Sequence, residues 1–177
     1  MHILLLSDFM NYLLKRFHII SAVLVGVIGT ILHFTYGWSN NSPIVALFSA
    51  INESTWEHLK LLFFPMLLTS IIGYPFLSKS FNSYWCSRAI GILVSLTFTV
   101  VFFYTYSGVL GKNIAIIDII SFFISVILGE FTSYILMNNK IHCNKISAIF
   151  LLISITALFI IFTFEPPDIG LFKKPTN

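Results

Sequence analysis

Charge is scarce in this chain: only 10% of its 177 residues are Asp, Glu, Lys or Arg, against about 25% in an ordinary soluble domain. With 57% hydrophobic residues, that scarcity excludes a water-soluble globule. The sequence has no P-loop, no GxGxxG and no basic amphipathic segment. A phosphate-cradling loop and a nucleic-acid partner are therefore excluded as readings. HExxH is also missing, and the inverse HxxEH fails because position 54 is Ser. No GxSxG nucleophile elbow occurs either. The two cysteines, Cys86 and Cys143, have a spacing that fits no metal motif.

What is present is a series of long apolar runs. They give five segments, at about Tyr12 to Trp38, Ser54 to Leu77, Tyr84 to Leu110, Ile114 to Met137 and Lys145 to Phe164. Each is long enough to cross a bilayer, which takes about 20 residues. The runs lack the alternation of an outer-membrane barrel, so backbone polar groups are satisfied within helices. The expected fold is all-α, a polytopic transmembrane bundle of five spans with the lipid bilayer as its solvent. The opening MHILLLSDF is short, and Lys15 and Arg16 follow it instead of leading it. The first span therefore reads as an uncleaved targeting signal.

Basic residues near the span ends set the orientation. Lys15, Arg16, Lys79, Arg88, Lys140 and Lys145 fall on the N-terminal side, and Lys60, Lys112, Lys173 and Lys174 on the other. This bias places the N-terminus in the cytoplasm and the C-terminus outside. Cys86 and Cys143 then lie on the cytoplasmic side, where thiols stay reduced, and read as neutral packing groups. The net charge of +3, spread over two faces, is an ordinary topology determinant.

The most informative stretch is WSNNSPIVALFSAINESTWEHLKLLFFP. Ser42 before Pro43 reads as a helix start with the serine as cap. Ser54 with Glu57 three residues on is a capping-box pattern that starts a second helix. The residues from Pro43 to Asn52 are then a short interfacial or re-entrant helix. The alternative is one kinked helix from Pro43 to Leu77, with Pro65 and Pro75 each removing a backbone donor. Small residues also form ridges: Ser87, Gly91, Ser95 and Thr99 in span three, Gly26, Gly29, Thr30, His33 and Gly37 in span one. Asp118, Ser121, Ser125, Gly129 and Thr132 form a further strip in span four that faces protein. Such ridges let helices approach closely in lipid.

Five of the seven acidic residues gather at the outer ends of spans or just beyond: Glu53, Glu57, Asp118, Glu165 and Asp168. His33 lies about one turn inside the outer end of span one, and His58 lies in the first turn of span two. These residues define a candidate outward-facing pocket of His33, Glu53, Glu57, His58 and Asp118. It suits a divalent cation such as zinc or a small polar ligand. His33, His58 and Glu57 are the candidate metal ligands, and Glu57 the candidate general base if the protein is an enzyme. The competing structural account has Glu53 and Glu57 complementing a helix dipole, with Lys60 paired to either. Glu130, about 120° from the Asp118 strip, pairs with a neighbouring helix or snorkels with Lys140. Asp118 and Glu130 would relay charge in a transporter. As an accessory or assembly subunit, with a membrane-protein partner or a second copy, the small-residue ridges would be the working surface.

HFTY in span one, NESTWEHLKLLFFP at the start of span two and FTFEPPDIGLFKKP after span five resemble an uncharacterised family of small bacterial integral membrane proteins, a domain of unknown function. The resemblance implies a location and an architecture but no mechanism. It implies that Asn52, Glu53, Ser54, Trp56, Glu57, His58, Lys60, Pro166 and Pro167 are hallmark positions. Pro166 and Pro167 end span five near Phe164. The tail from 165 to 177 is then either a strap over the pocket or a mobile end.

Overall fold

The computed structural model describes residues 2–175, with side chains from residue 9 onward. It is all-helical: α1 (His2–Trp38), α2 (Pro43–Ala46), α3 (Thr55–Leu77), α4 (Tyr84–Leu110), α5 (Ala115–Asn138) and α6 (Lys145–Phe164), with a 3₁₀ turn at Gly170–Phe172. Five of these helices are long and apolar enough to cross a membrane. The loops between them are short, so successive spans run antiparallel. One end of the bundle carries the starts of α1, α4 and α6. The other carries α2, the start of α3 and the tail.

α1 packs on α3, α3 on α4, α4 on α5 and α5 back on α1, closing a ring of four helices. α6 lies outside this ring against α4, and its Phe159 reaches Phe63 and Phe64 of α3. Val25, Leu62, Met66, Ile92 and Val126 fill the middle of the ring. On the outer surface, Ile116, Ile120, Phe123, Ile127 and Phe131 recur every three or four residues along α5, all exposed. The same holds for Ile20, Leu24, Val27, Ile31 and Phe34 on α1. Such unbroken apolar stripes have hydrocarbon as their natural solvent.

The small-residue ridges of α4 and α5 face each other. A methyl group at Gly129 would collide with Ser95 Oγ and lie 2.7 Å from the Gly91 carbonyl, and one at Gly91 would lie 2.5 Å from the Gly129 carbonyl. The Ser95 hydroxyl donates to the Ser125 carbonyl at 2.7 Å, and the Thr99 and Ser125 hydroxyls are bonded at 2.7 Å. Backbones in contact with hydroxyls bridging them are what lipid-embedded helices use in place of a hydrophobic driving force. The ridges are therefore used inside the chain.

The chain does break between α2 and α3. Ser54 caps α3 by accepting from the Glu57 amide, and α3 runs on through Pro65 and Pro75. The short helix is smaller than the expected Pro43 to Asn52, ending at Ala46, and Ser42 makes no capping bond. Pro43 alone, with its φ pre-set and no donor to satisfy, suffices to start one turn. Asn40 and Asn41, at φ of 54° and 59°, turn the chain out of α1, a conformation asparagine tolerates well. α1 itself starts at His2, so the opening residues continue the first span.

The expectation of free cysteines is overturned. Cys86 and Cys143 are joined in a disulfide, with Cα atoms 6.1 Å apart. The loop between α5 and α6 folds back over the first turn of α4 and brings Cys143 against Cys86. A separation of 57 residues hides this contact from local sequence patterns. Two basic residues also change role. Arg88 and Lys60 are fully buried ion-pair partners, one lost from each side of the charge count. Lys15, Arg16, Lys79, Lys140 and Lys145 then stand against Lys112, Lys173 and Lys174.

Candidate functional site

The four-helix ring holds two polar centres, one towards each end. They are separated by the fifteen residues of α1 from His18 to His33, about 22 Å at the helical rise.

The centre near α2 and the tail is built around the start of α3. Asn52 Oδ1 accepts from the Ser54 amide at 2.8 Å, shaping the turn that carries Glu53. His58 Nδ1 donates to the Ser54 carbonyl at 2.9 Å. The other ring nitrogen, Nε2, faces Glu53 Oε2 at 3.4 Å. His33 of α1 brings its ring to 5.3 Å from that of His58. Ligand atoms of His33, Glu53 and His58 all lie within 4.8 Å of one another. A tetrahedral ion with bonds of about 2.1 Å has ligands about 3.4 Å apart, the spacing already found between Glu53 and His58. The hydrogen bond from His58 holds the Glu53 carboxyl below the usual carboxylate range, so it stays ionised.

Glu53 and His58 border a cavity of about 350 Å³, and His33 stands behind them against the His58 ring. Its walls include Thr99 and Phe103 of α4 and Asp118, Ser121 and Phe122 of α5, with Asn113, Lys174 and Pro175 at the mouth. Asp118 accepts from the Tyr106 hydroxyl. Asn113 Oδ1 is buried without a hydrogen-bond partner. The tail lies across this mouth as a strap. Phe172 packs on Trp56 at 4.8 Å and on Phe162 at 5.4 Å, and Lys173 pairs with Asp168 at 2.7 Å. That exposed pair holds the Asp168 carboxyl below its ordinary range.

Of the five expected pocket residues, His33, Glu53, His58 and Asp118 converge here, but Glu57 does not. It lies 2.5 Å from Lys60 Nζ and accepts from the Ile51 amide at 2.9 Å. Lys60 also donates to the Ala46 carbonyl at 2.8 Å and to Thr163 at 3.1 Å. All three donors of its ammonium are thereby used. Residues 57 and 58 point about 100° apart on a helix, which is why one faces the clamp and the other the cavity. The pairing of Lys60 with Glu57 follows the structural account open at the sequence level, and it leaves Glu57 no proton-abstracting role in the cavity. Among the described residues, the three-ligand set is His33, Glu53 and His58, with Glu53 in the place expected for Glu57.

The second centre was not legible. Arg88 of α4 grips Glu130 of α5 with both nitrogens, Nη1 to Oε2 at 2.6 Å and Nη2 to Oε1 at 2.9 Å. His18 and Ser21 of α1 each donate to Glu130 at 2.7 Å. From α3, Thr69 and Ser70 accept from Arg88 at 3.1 and 2.7 Å. All four helices of the ring meet here, and Glu130 and Arg88 are 3% and 0% exposed. Of the two fates expected for Glu130, pairing with a neighbouring helix holds, and Lys140 is not its partner. The only sequence signal for Arg88 was its position one turn inside a span.

A family described as being of unknown function, DUF6512, matches residues 8–177. The chain belongs to it. No curated protein and no solved structure matches this DUF6512 chain. The match spans both polar centres, the Cys86–Cys143 bond and the strap.

Proposed function

We propose that this DUF6512 chain is a multi-pass membrane protein that binds a divalent cation, zinc by its ligand set, through His33, Glu53 and His58. The observation that carries this reading is the convergence of two imidazoles and a carboxylate from two segments, α1 and the start of α3, within 4.8 Å. Two nitrogens and one oxygen are borderline ligands suited to zinc, and three protein ligands leave a coordination position open. The Nδ1 bond from His58 to the Ser54 carbonyl is the outer-shell contact that metal-binding histidines use to orient the ring. Metal-stripped protein titrated with zinc by calorimetry is expected to bind one equivalent. His33→Ala or His58→Ala is expected to weaken binding at least ~10-fold, while Glu57→Gln keeps the affinity. Unchanged affinity in both histidine variants would remove the site.

We further propose the N-terminus on the cytoplasmic side of the cell membrane and the pocket on the outer side. Exposed basic residues number five against three, and they act during insertion, before the two cysteines meet. The disulfide then sits on the reducing side, where such bonds are of the transient, redox-sensing kind. A membrane-permeant maleimide applied to growing cells is expected to label the exposed Cys143, and labelling is expected to disappear after diamide. Cysteines that stay unlabelled until chemical reduction would reverse the orientation.

A further inference from the structure

We infer that the cavity beside His33, Glu53 and His58, once it holds a divalent cation, binds an anionic phosphate group that completes the ion's coordination. This rests on the cation reading above and names the ligand class for the same site.

Charge decides the class. With His58 neutral as a metal ligand, Glu53 and Asp118 bring two negative charges to the cavity and Lys174 one positive. A divalent ion reverses the sign and leaves one net positive charge in a partly enclosed space, where the attraction is stronger than in bulk water. Three protein ligands also leave the ion at least one open position. A phosphate oxygen is a hard donor that fills such a position.

Lys174 supplies the second contact. Lys173 is spent on Asp168 at 2.7 Å, whereas Lys174 lines the cavity and its charge acts on Glu53. The strap that delivers it is anchored by Phe172 on Trp56. A lysine ammonium is an effective point charge for phosphate. Leu62, Phe103 and Phe122 form the apolar part of the wall, so the phosphate end belongs at the mouth with the ion. The volume of about 350 Å³ admits a free phosphate compound or a phospholipid headgroup.

The test uses the full chain loaded with one equivalent of Co²⁺, whose visible spectrum reports coordination. Inorganic phosphate is expected to shift the bound cobalt spectrum saturably, and Lys174→Gln is expected to keep the cobalt while weakening phosphate at least ~10-fold. In phosphate-free buffer, nanodiscs containing phosphatidic acid that give the same shift, where phosphatidylcholine alone gives none, identify a lipid source. A shift with inorganic phosphate only identifies a soluble one. Bound cobalt with a spectrum indifferent to every phosphate source overturns this inference and leaves the cation site standing. A phosphate affinity unchanged by Lys174→Gln also overturns it. Absence of any cobalt spectrum overturns both readings together.

Discussion

Arg88→Met is expected to lower the stability of the purified protein by about 3–5 kcal/mol, the usual loss when one partner of a buried ion pair is removed. Glu130 would remain 3% exposed, keeping its bonds from His18 and Ser21 but losing both guanidinium contacts. The remaining charge inside the ring is what makes the single change costly. The double change Arg88→Met with Glu130→Leu removes both charges and substitutes apolar groups of similar size, so it is expected to lose less than either single change. Denaturant unfolding in mixed micelles, followed by near-ultraviolet circular dichroism, measures all three. Losses that simply add would mean that the two groups stabilise independently, against the observed bidentate geometry.

Lys60→Met carries the second large effect, again about 3–5 kcal/mol. Lys60 is 0% exposed; it pairs with Glu57 on its own helix and ties two further segments to α3, through the Ala46 carbonyl of α2 and Thr163 of α6. Without it, Glu57 keeps only the Ile51 amide, and the segment from α2 to the start of α3 loses its anchor. Faster proteolysis between residues 43 and 54 is expected alongside the lower stability. Glu57→Gln is expected to be milder, because an amide oxygen still accepts from the Ile51 amide or from Lys60. The same variant separates clamp from chemistry: a base in the cavity would be silenced by the amide, while a clamp residue leaves zinc affinity intact.

Much of the fold was readable because hydrocarbon imposes a simple code. Helix ends fell within a residue or two of the expected positions from α3 onward, since each lies where an apolar run meets a turn signal such as Ser54 or Gly111, the latter at φ 69°. The ridge of Gly91 and the strip of Gly129 were visible as periodicities, although periodicity could not say that they face each other. The gathering of His33, Glu53, His58 and Asp118 at one end was readable for a related reason: in an antiparallel bundle, depth along each span follows from counting residues. Rotation about each helix axis is harder to count. Glu57 was assigned to the cavity although a turn of about 100° separates it from His58, and only its contacts with Ile51 and Lys60 reveal the clamp.

Partners distant in sequence were beyond reach altogether. Arg88 and Glu130 are 42 residues apart and His18 and Glu130 are 112 apart; nothing local announces either contact, so Arg88 was counted as a surface charge. The Cys86–Cys143 bond and the placement of Lys174 by a strap seated on Trp56 belong to the same class. Each depends on how loops fold across the ends of the bundle, where neither helical period nor bilayer thickness constrains the chain.

Anomalous scattering at the zinc edge from crystals of the zinc-loaded protein tests whether His33, Glu53 and His58 hold a cation. One peak is predicted at about 2.0–2.2 Å from a nitrogen of His33, Nε2 of His58 and an oxygen of Glu53, absent from crystals of the His33→Ala, His58→Ala double variant. A peak elsewhere in the chain, or none at this site in fully loaded crystals, would contradict the account.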